Sequence, residues 1–169
     1  MNRKTAKYIT IIGMALTLAA LASVAIFQRT ESRPLSGALL APGDRQTVVQ
    51  GKQIYAENCA SCHGANLEGQ VEDWRSPGPD GLMPAPPHDE TGHTWHHPDE
   101  ILFKITKLGI VKAANLKDYK SAMPAYENIL SDAEIIAVLS YIKSTWPDEV
   151  RAGHDEMNAR YAMEPAETR

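Results

Sequence analysis

The chain has 169 residues, with 17 basic and 21 acidic side chains and a formal net charge of −4. Residues 1–34 contain five basic residues and one acidic residue, so the rest has 12 basic and 20 acidic residues and a net charge of −8. Such an acidic body excludes nucleic acid as a partner, because binding phosphates needs basic surface. Aromatic residues make up only 7% of the chain, which favours a core completed by a large apolar cofactor.

The N-terminus has the pattern of a membrane segment. Three cations precede 20 uncharged residues from Tyr8 to Phe27, and a helix needs about 20 apolar residues to cross the hydrocarbon core. A cleaved signal peptide has a shorter apolar region, although small-residue cleavage sites are also present here. We therefore predict a transmembrane anchor or a signal sequence over 1–27, with the length favouring the anchor. Because the basic residues stay inside, the rest of the chain is expected on the periplasmic or extracytoplasmic side.

The next segments predict a linker, a helix and a long loop. Residues 28–43 are polar and lack apolar periodicity, as in a linker. Asp44 is a typical N-cap for a helix that carries Ile54 and Tyr55 and runs into Cys59. The stretch from 64 to 98 contains six prolines and five glycines, which exclude long regular elements. A loop of this length is uncommon unless it has a function or an internal support, and a cofactor would provide that support.

Two further helices are marked by their ends. Pro98 opens a helix that Gly109 closes. Ser131 and Glu134 have the spacing of a capping box, and the helix that they begin ends before Pro147. No alternating pattern predicts a β-strand, so the expected fold class is all-α, with one domain over 44–147.

The C-terminal extension, 148–169, is highly charged. Val150, Met157 and Tyr161 recur in it at roughly helical spacing, which predicts one more amphipathic helix.

The strongest chemical signal is a Cys-x-x-Cys-His motif formed by Cys59, Cys62 and His63. A bare Cys-x-x-Cys pair has several uses, but a histidine directly after it indicates covalent haem attachment. Zinc would need more soft ligands, and the chain has only two cysteines. A thioredoxin-type redox pair would need a βαβ setting. The motif therefore predicts one haem c, bound through Cys59 and Cys62, with His63 as an axial ligand of its iron.

The second axial ligand has two candidates, Met123 and Met83. Met123 is favoured because it lies 60 residues after His63, which is enough chain to reach the opposite face of the haem. Met83 lies only 20 residues after His63, and its flanking prolines are expected to wrap the near face. Thioether ligation raises the reduction potential and favours electron transfer.

From about Asp44 to Trp146 the chain resembles a class I monohaem cytochrome c of the membrane-anchored bacterial type. In that family a glycine and an aromatic residue precede the haem motif, here Gly51 and Tyr55, and the first helix crosses the last one at an aromatic residue, here Tyr141. The resemblance implies the cytochrome c fold, in which three main helices and a long Pro/Gly loop surround one covalent haem. The predicted transmembrane helix would precede it.

The resemblance also implies that a proline carbonyl accepts a hydrogen bond from the ligand histidine. The candidates for this carbonyl are Pro77, Pro84 and Pro86. The long insert after the haem motif and the C-terminal extension depart from the minimal family pattern, and their roles stay open.

Four of the six histidines lie within ten residues of the insert: His88, His93, His96 and His97. They either decorate a haem-wrapping loop through hydrogen bonds or form a second metal site. Copper would be the natural metal for such a site, since imidazole suits copper and zinc.

A run of lysines precedes Met123 on this otherwise acidic chain, namely Lys104, Lys107, Lys112, Lys117 and Lys120. Such a run is usually a solvated helix face. We hypothesise that it forms a basic docking rim for an acidic redox partner, where charge mainly raises the association rate.

The predicted function is that of a single-electron carrier and not of an enzyme. Iron held by His63 and Met123 has no open position, so no small-molecule substrate is expected. The expected partners are redox proteins of a respiratory chain, such as a membrane oxidase or reductase complex, with the N-terminal helix in the membrane. The alternatives are a haem subunit of a larger oxidase or dehydrogenase, a ligand-binding or peroxidatic haem protein, and a haem- and copper-binding protein that uses the His-rich loop.

Overall fold

The computed structural model describes residues 38–165, which fold as an all-α domain. Its helices are α1 (Arg45–Asn58), α2 (Ala60–His63), α3 (Asp99–Leu108), α4 (Ile110–Ala113), α5 (Asp132–Ser144) and α6 (Asp148–Met163), with a 3-10 turn at Thr94–His96. The predicted membrane segment and most of the predicted linker lie outside the described residues. In the part that is described, no helix has the length and apolar character needed to span a membrane.

The signals that mark the helix ends are confirmed. Asp44 caps α1, and its side chain accepts a hydrogen bond from the Thr47 N–H. The capping box of Ser131 and Glu134 is complete at the start of α5. Gly109 follows α3 with φ of 78°, a left-handed conformation that glycine adopts without strain. These short-range signals work because each one satisfies backbone groups within its own turn.

The frame of the domain is the crossing of α1 and α5 at Gly51. A Cβ atom on Gly51 would lie 2.0 Å from the Ala137 carbonyl oxygen and 2.9 Å from the Tyr141 Cβ. Only a residue without a side chain allows the two helices to approach this closely. Next to the crossing, the Tyr55 and Tyr141 rings pack with their centroids 5.6 Å apart. The crossing therefore uses the residues that the resemblance implied.

The core lies between these helices and the long loop. Its most buried apolar residues include Tyr55, Leu102, Ile135, Val138, Ile142 and Trp146. The loop from 64 to 98 contains one short 3-10 turn and packs back on itself, with the His88 N–H donating to the Leu67 carbonyl over 2.8 Å.

The predicted C-terminal helix is present as α6, but its inner face differs from the expected one. The buried residues of α6 are His154 and Asn158, whereas the predicted apolar residues Val150, Met157 and Tyr161 are only partly buried. The apolar pattern was weak because this helix is anchored mainly by polar side chains.

Candidate haem-binding site

The Cys-x-x-Cys-His motif forms a tight turn directly after α1. The N–H of Cys59 donates to the Tyr55 carbonyl, and the N–H groups of Cys62 and His63 both donate to the Cys59 carbonyl over 3.1 and 2.9 Å. Cys59 is half-buried, Cys62 is exposed and His63 is buried. Both thiols are unpaired in the described part of the chain. Burial, followed by the nearby Cys62, raises the pKa of the Cys59 thiol to about 11.

Tyr55 ties this turn back to α1. Its hydroxyl donates to the Gly64 carbonyl over 2.8 Å and also lies 3.3 Å from the His63 carbonyl. Burial is the main cause that raises the pKa of Tyr55, so the hydroxyl stays protonated and remains a donor. The aromatic residue before the motif therefore holds the end of the motif in place.

The ring of His63 is oriented by Pro86. Its Nδ1 lies 2.8 Å from the Pro86 carbonyl oxygen, which singles out Pro86 from the three candidate prolines. Because a carbonyl only accepts, Nδ1 carries the proton and Nε2 keeps its lone pair for a metal. Burial lowers the pKa of His63, although the Pro86 carbonyl acts in the opposite direction. Two free thiols beside a neutral imidazole with a fixed tautomer are the groups that covalent haem attachment needs.

Three histidines of the loop stack on other aromatic rings. His88 stacks on His63, His93 on Trp74 and His96 on Trp95. Among residues 38–165, no group of three or more His, Cys, Asp or Glu side chains is arranged to hold a metal ion. The hypothesis of a second metal site therefore has no support in this region, although His93 and His97 meet edge-on with their ring centroids 5.4 Å apart.

The two candidate methionines lie on neighbouring segments. The Met83 N–H donates to the Lys120 carbonyl over 2.9 Å, within an isolated parallel bridge between Met83 and Ser121. Met83 therefore lies beside the segment that carries Met123, whereas Pro86, three residues after Met83, contacts His63. The choice between the two methionines stays a prediction. Met123 is partly buried and packs against the core.

Tyr126 connects the segment of Met123 to the haem motif. Its hydroxyl donates to the Asn58 carbonyl over 2.6 Å, and its N–H donates to the Thr106 carbonyl. Burial raises the pKa of Tyr126 to about 12, with Cys59 and Cys62 contributing. The loop after Met123 is therefore held next to the two cysteines.

The lysine run divides into two groups. Three of its members form ion pairs, which are Lys104 with Glu100, Lys107 with Asp132, and Lys112 with Glu127. Lys117 and Lys120 are exposed and have no ion pair within the described residues. The free positive charge is therefore concentrated at the end of the run, immediately before Met123.

A buried polar network around Asp99, which the sequence analysis missed, joins α3 to α6. Asp99 is 2% exposed, and its Oδ2 accepts hydrogen bonds from the N–H groups of Leu39 and Leu40, each over 3.0 Å. Its Oδ1 accepts from the Asn158 amide over 3.0 Å, and the Asn158 Oδ1 accepts from the Asp99 N–H over 2.8 Å. The N-terminal segment, α3 and α6 therefore meet at one carboxylate.

Lys143 and His154 complete this network. Lys143 is 1% exposed, and its Nζ lies 3.7 Å from Asp99 Oδ1 and 2.6 Å from Asp155 Oδ1. His154 Nε2 lies 2.9 Å from the His97 carbonyl. Burial, followed by the Lys143 charge, lowers the pKa of His154. In the sequence, the one indication of this network was Lys143, a charged residue within the apolar run of α5.

An all-α fold whose first helix ends in a Cys-x-x-Cys-His turn defines the class of c-type haem proteins. Residues 48–146 match the cytochrome c family. Because this match covers more than half of the chain, the chain belongs to the cytochrome c family, whose members transfer electrons with covalently attached haem. No solved structure is significantly similar to the chain.

Several curated proteins are similar to parts of the chain. A cbb3-type cytochrome c oxidase subunit CcoP from Rhodobacter capsulatus is 31% identical over 103 residues, which are 61% of this chain and 31% of that protein. Subunit FixP from Azorhizobium caulinodans is 43% identical over 60 residues, which are 36% of this chain and 18% of that protein. FixP from Sinorhizobium medicae is 56% identical over 32 residues, 19% of this chain and 11% of that protein. The chain therefore spans about a third or less of the length of these relatives.

Proposed function

We propose that this protein carries single electrons on one haem c, attached through Cys59 and Cys62, with His63 and Met123 as the axial ligands of the iron. The observation that carries the proposal is the 2.8 Å contact between His63 Nδ1 and the Pro86 carbonyl, beside two unpaired thiols. This contact holds the ring proton at Nδ1 and directs the other nitrogen to the metal.

Each protein group has a separate task in this proposal. The thiols of Cys59 and Cys62 fix the cofactor, and Tyr55 holds the turn that carries them. When bound, haem supplies the iron couple that takes up and releases one electron. Iron with two protein ligands has no free position for a substrate, so the protein relays electrons without transforming a small molecule.

The choice of Met123 rests on its surroundings. Met123 packs against the core, and Tyr126 fastens the following loop to Asn58, the residue before Cys59. A ligand that is held from both sides approaches the iron in a defined geometry. Met83 remains the alternative ligand, because its N–H donates to the Lys120 carbonyl, three residues before Met123.

Absorption spectra of three haem-loaded, full-length proteins test this proposal: the parent, Met123→Ala and Met83→Ala. We expect a low-spin c-type spectrum in the parent, with a far-red thioether-to-iron band that disappears in Met123→Ala and persists in Met83→Ala. Loss of the band in Met83→Ala alone would transfer the ligand role to Met83. A high-spin parent that binds carbon monoxide at neutral pH would overturn the electron-carrier function in favour of ligand binding or peroxidatic chemistry.

For the cellular setting, we infer a haem domain that the segment 1–27 tethers on the extracytoplasmic side of a membrane, next to redox complexes. A tether would raise the effective concentration of the carrier at its partners. Support comes from the cationic start of the chain and its 20 uncharged residues. The test is fractionation of the full-length protein: recovery in the membrane fraction supports the tether, and recovery of a shortened chain in the periplasm contradicts it.

The relatives favour a second function, that of a haem subunit of a larger oxidase. The similar CcoP and FixP proteins are subunits of cbb3-type cytochrome c oxidase. A subunit of such a complex should co-purify with it in a fixed ratio through several columns. A free carrier should separate from it when the ionic strength is raised.

Partner docking is proposed to use the free end of the lysine run. Lys117→Glu and Lys120→Glu should reduce the salt dependence of electron transfer to an acidic partner, since each removes an exposed positive charge. Lys104→Glu is the matched control, because Lys104 already pairs with Glu100 at 3.0 Å. An unchanged salt dependence in the first two variants would exclude docking at this surface.

A further inference from the structure

His88 lies flat against the ring of His63. The two ring centroids are 4.0 Å apart and the ring planes differ by 20°. The Tyr55 ring meets His88 edge-on, with centroids 6.2 Å apart and an angle of 71°. The segment from Pro86 to His88 therefore contacts His63 twice, at the edge through the Pro86 carbonyl and on the face through the His88 ring.

The His88 ring is itself fixed. Its Nδ1 lies 2.8 Å from Thr94 Oγ1, and Thr94 is buried. The backbone at His88 is held on both sides, because its N–H donates to the Leu67 carbonyl over 2.8 Å and its carbonyl accepts from the Trp146 indole over 2.8 Å. A ring with this many restraints offers a rigid plane to its neighbour.

The two contacts restrain different motions of His63. A single hydrogen bond at Nδ1 fixes one point on the edge of the imidazole, but it leaves a small rotation of the ring about that point through the Cα–Cβ and Cβ–Cγ bonds. A rigid plane stacked against the face removes this rotation. Outer-shell groups that orient a metal-bound histidine also tune the metal, and the plane of an axial imidazole affects the iron orbitals that accept the electron.

We propose that His88 is a positioning residue that fixes the plane of the His63 ring and thereby sets the electronic properties of the haem iron. This inference rests on the proposed role of His63 as iron ligand. It gives the first histidine of the His-rich loop a role that needs no second metal, and it makes Thr94 and Trp146 the supports of that role.

The experiment compares haem-loaded, full-length variants by two measurements. Proton NMR of the ferric protein reports the plane of the axial ligand through the pattern of haem methyl shifts, and a redox titration gives the midpoint potential. His88→Leu removes the flat ring, and His88→Phe retains a flat ring. Thr94→Val removes the hydrogen bond that holds the ring, together with the longer 3.5 Å bond from Thr94 Oγ1 to the Pro87 carbonyl. His96→Leu is the matched control, because His96 belongs to the same loop and stacks on Trp95 instead of His63.

We expect His88→Leu to change the methyl shift pattern and to move the midpoint potential, and His88→Phe to restore most of the parent pattern. Thr94→Val should produce a smaller change in the same direction, and it keeps the test valid if His88→Leu does not fold. His96→Leu should leave both signals unchanged. Equal effects of His88→Leu and His96→Leu, or no effect of His88→Leu and Thr94→Val, would overturn the role of His88. A parent protein without a low-spin spectrum would instead overturn the proposed function.

Discussion

The haem-attachment region and the Asp99 network both bury histidines, but they use them in opposite ways. At the attachment region, His63 has one nitrogen bonded to Pro86, and in the proposed function the other nitrogen binds the haem iron. In the Asp99 network, both nitrogens of His154 have protein partners, with Nε2 2.9 Å from the His97 carbonyl and Nδ1 3.3 Å from the Asn158 amide. A histidine that is to bind a metal keeps one ring nitrogen without a protein partner, whereas a histidine that anchors the fold uses both nitrogens.

The two regions also differ in charge. The attachment region holds neutral groups, and its long contact, from the Tyr126 hydroxyl to the Asn58 carbonyl, joins residues 68 positions apart. The Asp99 network holds a buried carboxylate and a buried ammonium, and its bonds join residues 59 and 60 positions apart. Because unpaired buried charges are costly, we expect the network to dominate stability and the attachment region to dominate redox chemistry.

The largest effect should come from Asp99→Asn. This substitution leaves the Lys143 ammonium buried with only Asp155 as its counter-charge, and removing one partner of a buried pair costs about 3–5 kcal/mol. Urea unfolding of the haem-loaded protein measures the loss. Asp132→Asn is the control, since Asp132 forms an exposed pair with Lys107, and it should cost less than about 1 kcal/mol. If Asp99→Asn and Asp132→Asn lowered the free energy of unfolding equally, the network would not dominate stability.

The frame that carries both regions depends on Gly51. Gly51→Ala should destabilise the protein by about 1–3 kcal/mol, because the added methyl group collides with the Ala137 carbonyl and forces the two helices apart. Gly153→Ala in α6 is the control, since its Cβ would meet nothing within 4 Å. It should stabilise the protein by about 0.5–1 kcal/mol. Thermal unfolding of both variants measures the difference, and a neutral Gly51→Ala would refute the close crossing.

Acid should weaken the anchor through His154. Burial and Lys143 lower the pKa of His154 below its ordinary value of 6.5, while Asp99 and Asp155 oppose this shift only in part. As the pH falls through about 6.5, His154 therefore binds a proton in the unfolded chain but not in the folded protein. The free energy of unfolding keeps its full value above that pH. It decreases as the pH drops further, by at most about 1.4 kcal/mol per pH unit for one proton.

Unfolding curves of the haem-loaded protein between pH 7.5 and pH 5.5 test this dependence. His154→Gln should make it shallower, and the other histidines whose pKa burial lowers, His88 among them, should account for the dependence that remains. An identical pH slope in the parent and in His154→Gln would assign the acid sensitivity to other groups.

The smallest effect should come from the attachment region. Tyr55→Phe removes the hydroxyl that donates to the Gly64 carbonyl, and a single hydrogen bond contributes about 1 kcal/mol. Haem attachment should still occur, because the cysteines are unaffected. Chemical unfolding and the haem content of the purified variant measure the two parts of this prediction. A loss as large as that of Asp99→Asn would erase the contrast between the regions.

The sequence by itself was sufficient for the haem motif, the helix ends and the crossing residues. The motif of Cys59, Cys62 and His63 is readable because its chemistry needs a fixed spacing within five residues. The capping box of Ser131 and Glu134 is readable because it satisfies backbone groups within one turn. The pair of Gly51 and Tyr55 was recognised through the family resemblance, and the family match over 48–146 agrees with it.

Only the tertiary structure decided which proline meets His63, which ring stacks on it and what buries Lys143. Pro77, Pro84 and Pro86 have the same carbonyl chemistry, so the path of the loop alone selects Pro86. His88 looked like one of four equivalent histidines until folding placed it against His63. The Asp99 network joins segments about 60 residues apart, and no local pattern encodes such a contact, because its energy exists only after the helices have packed.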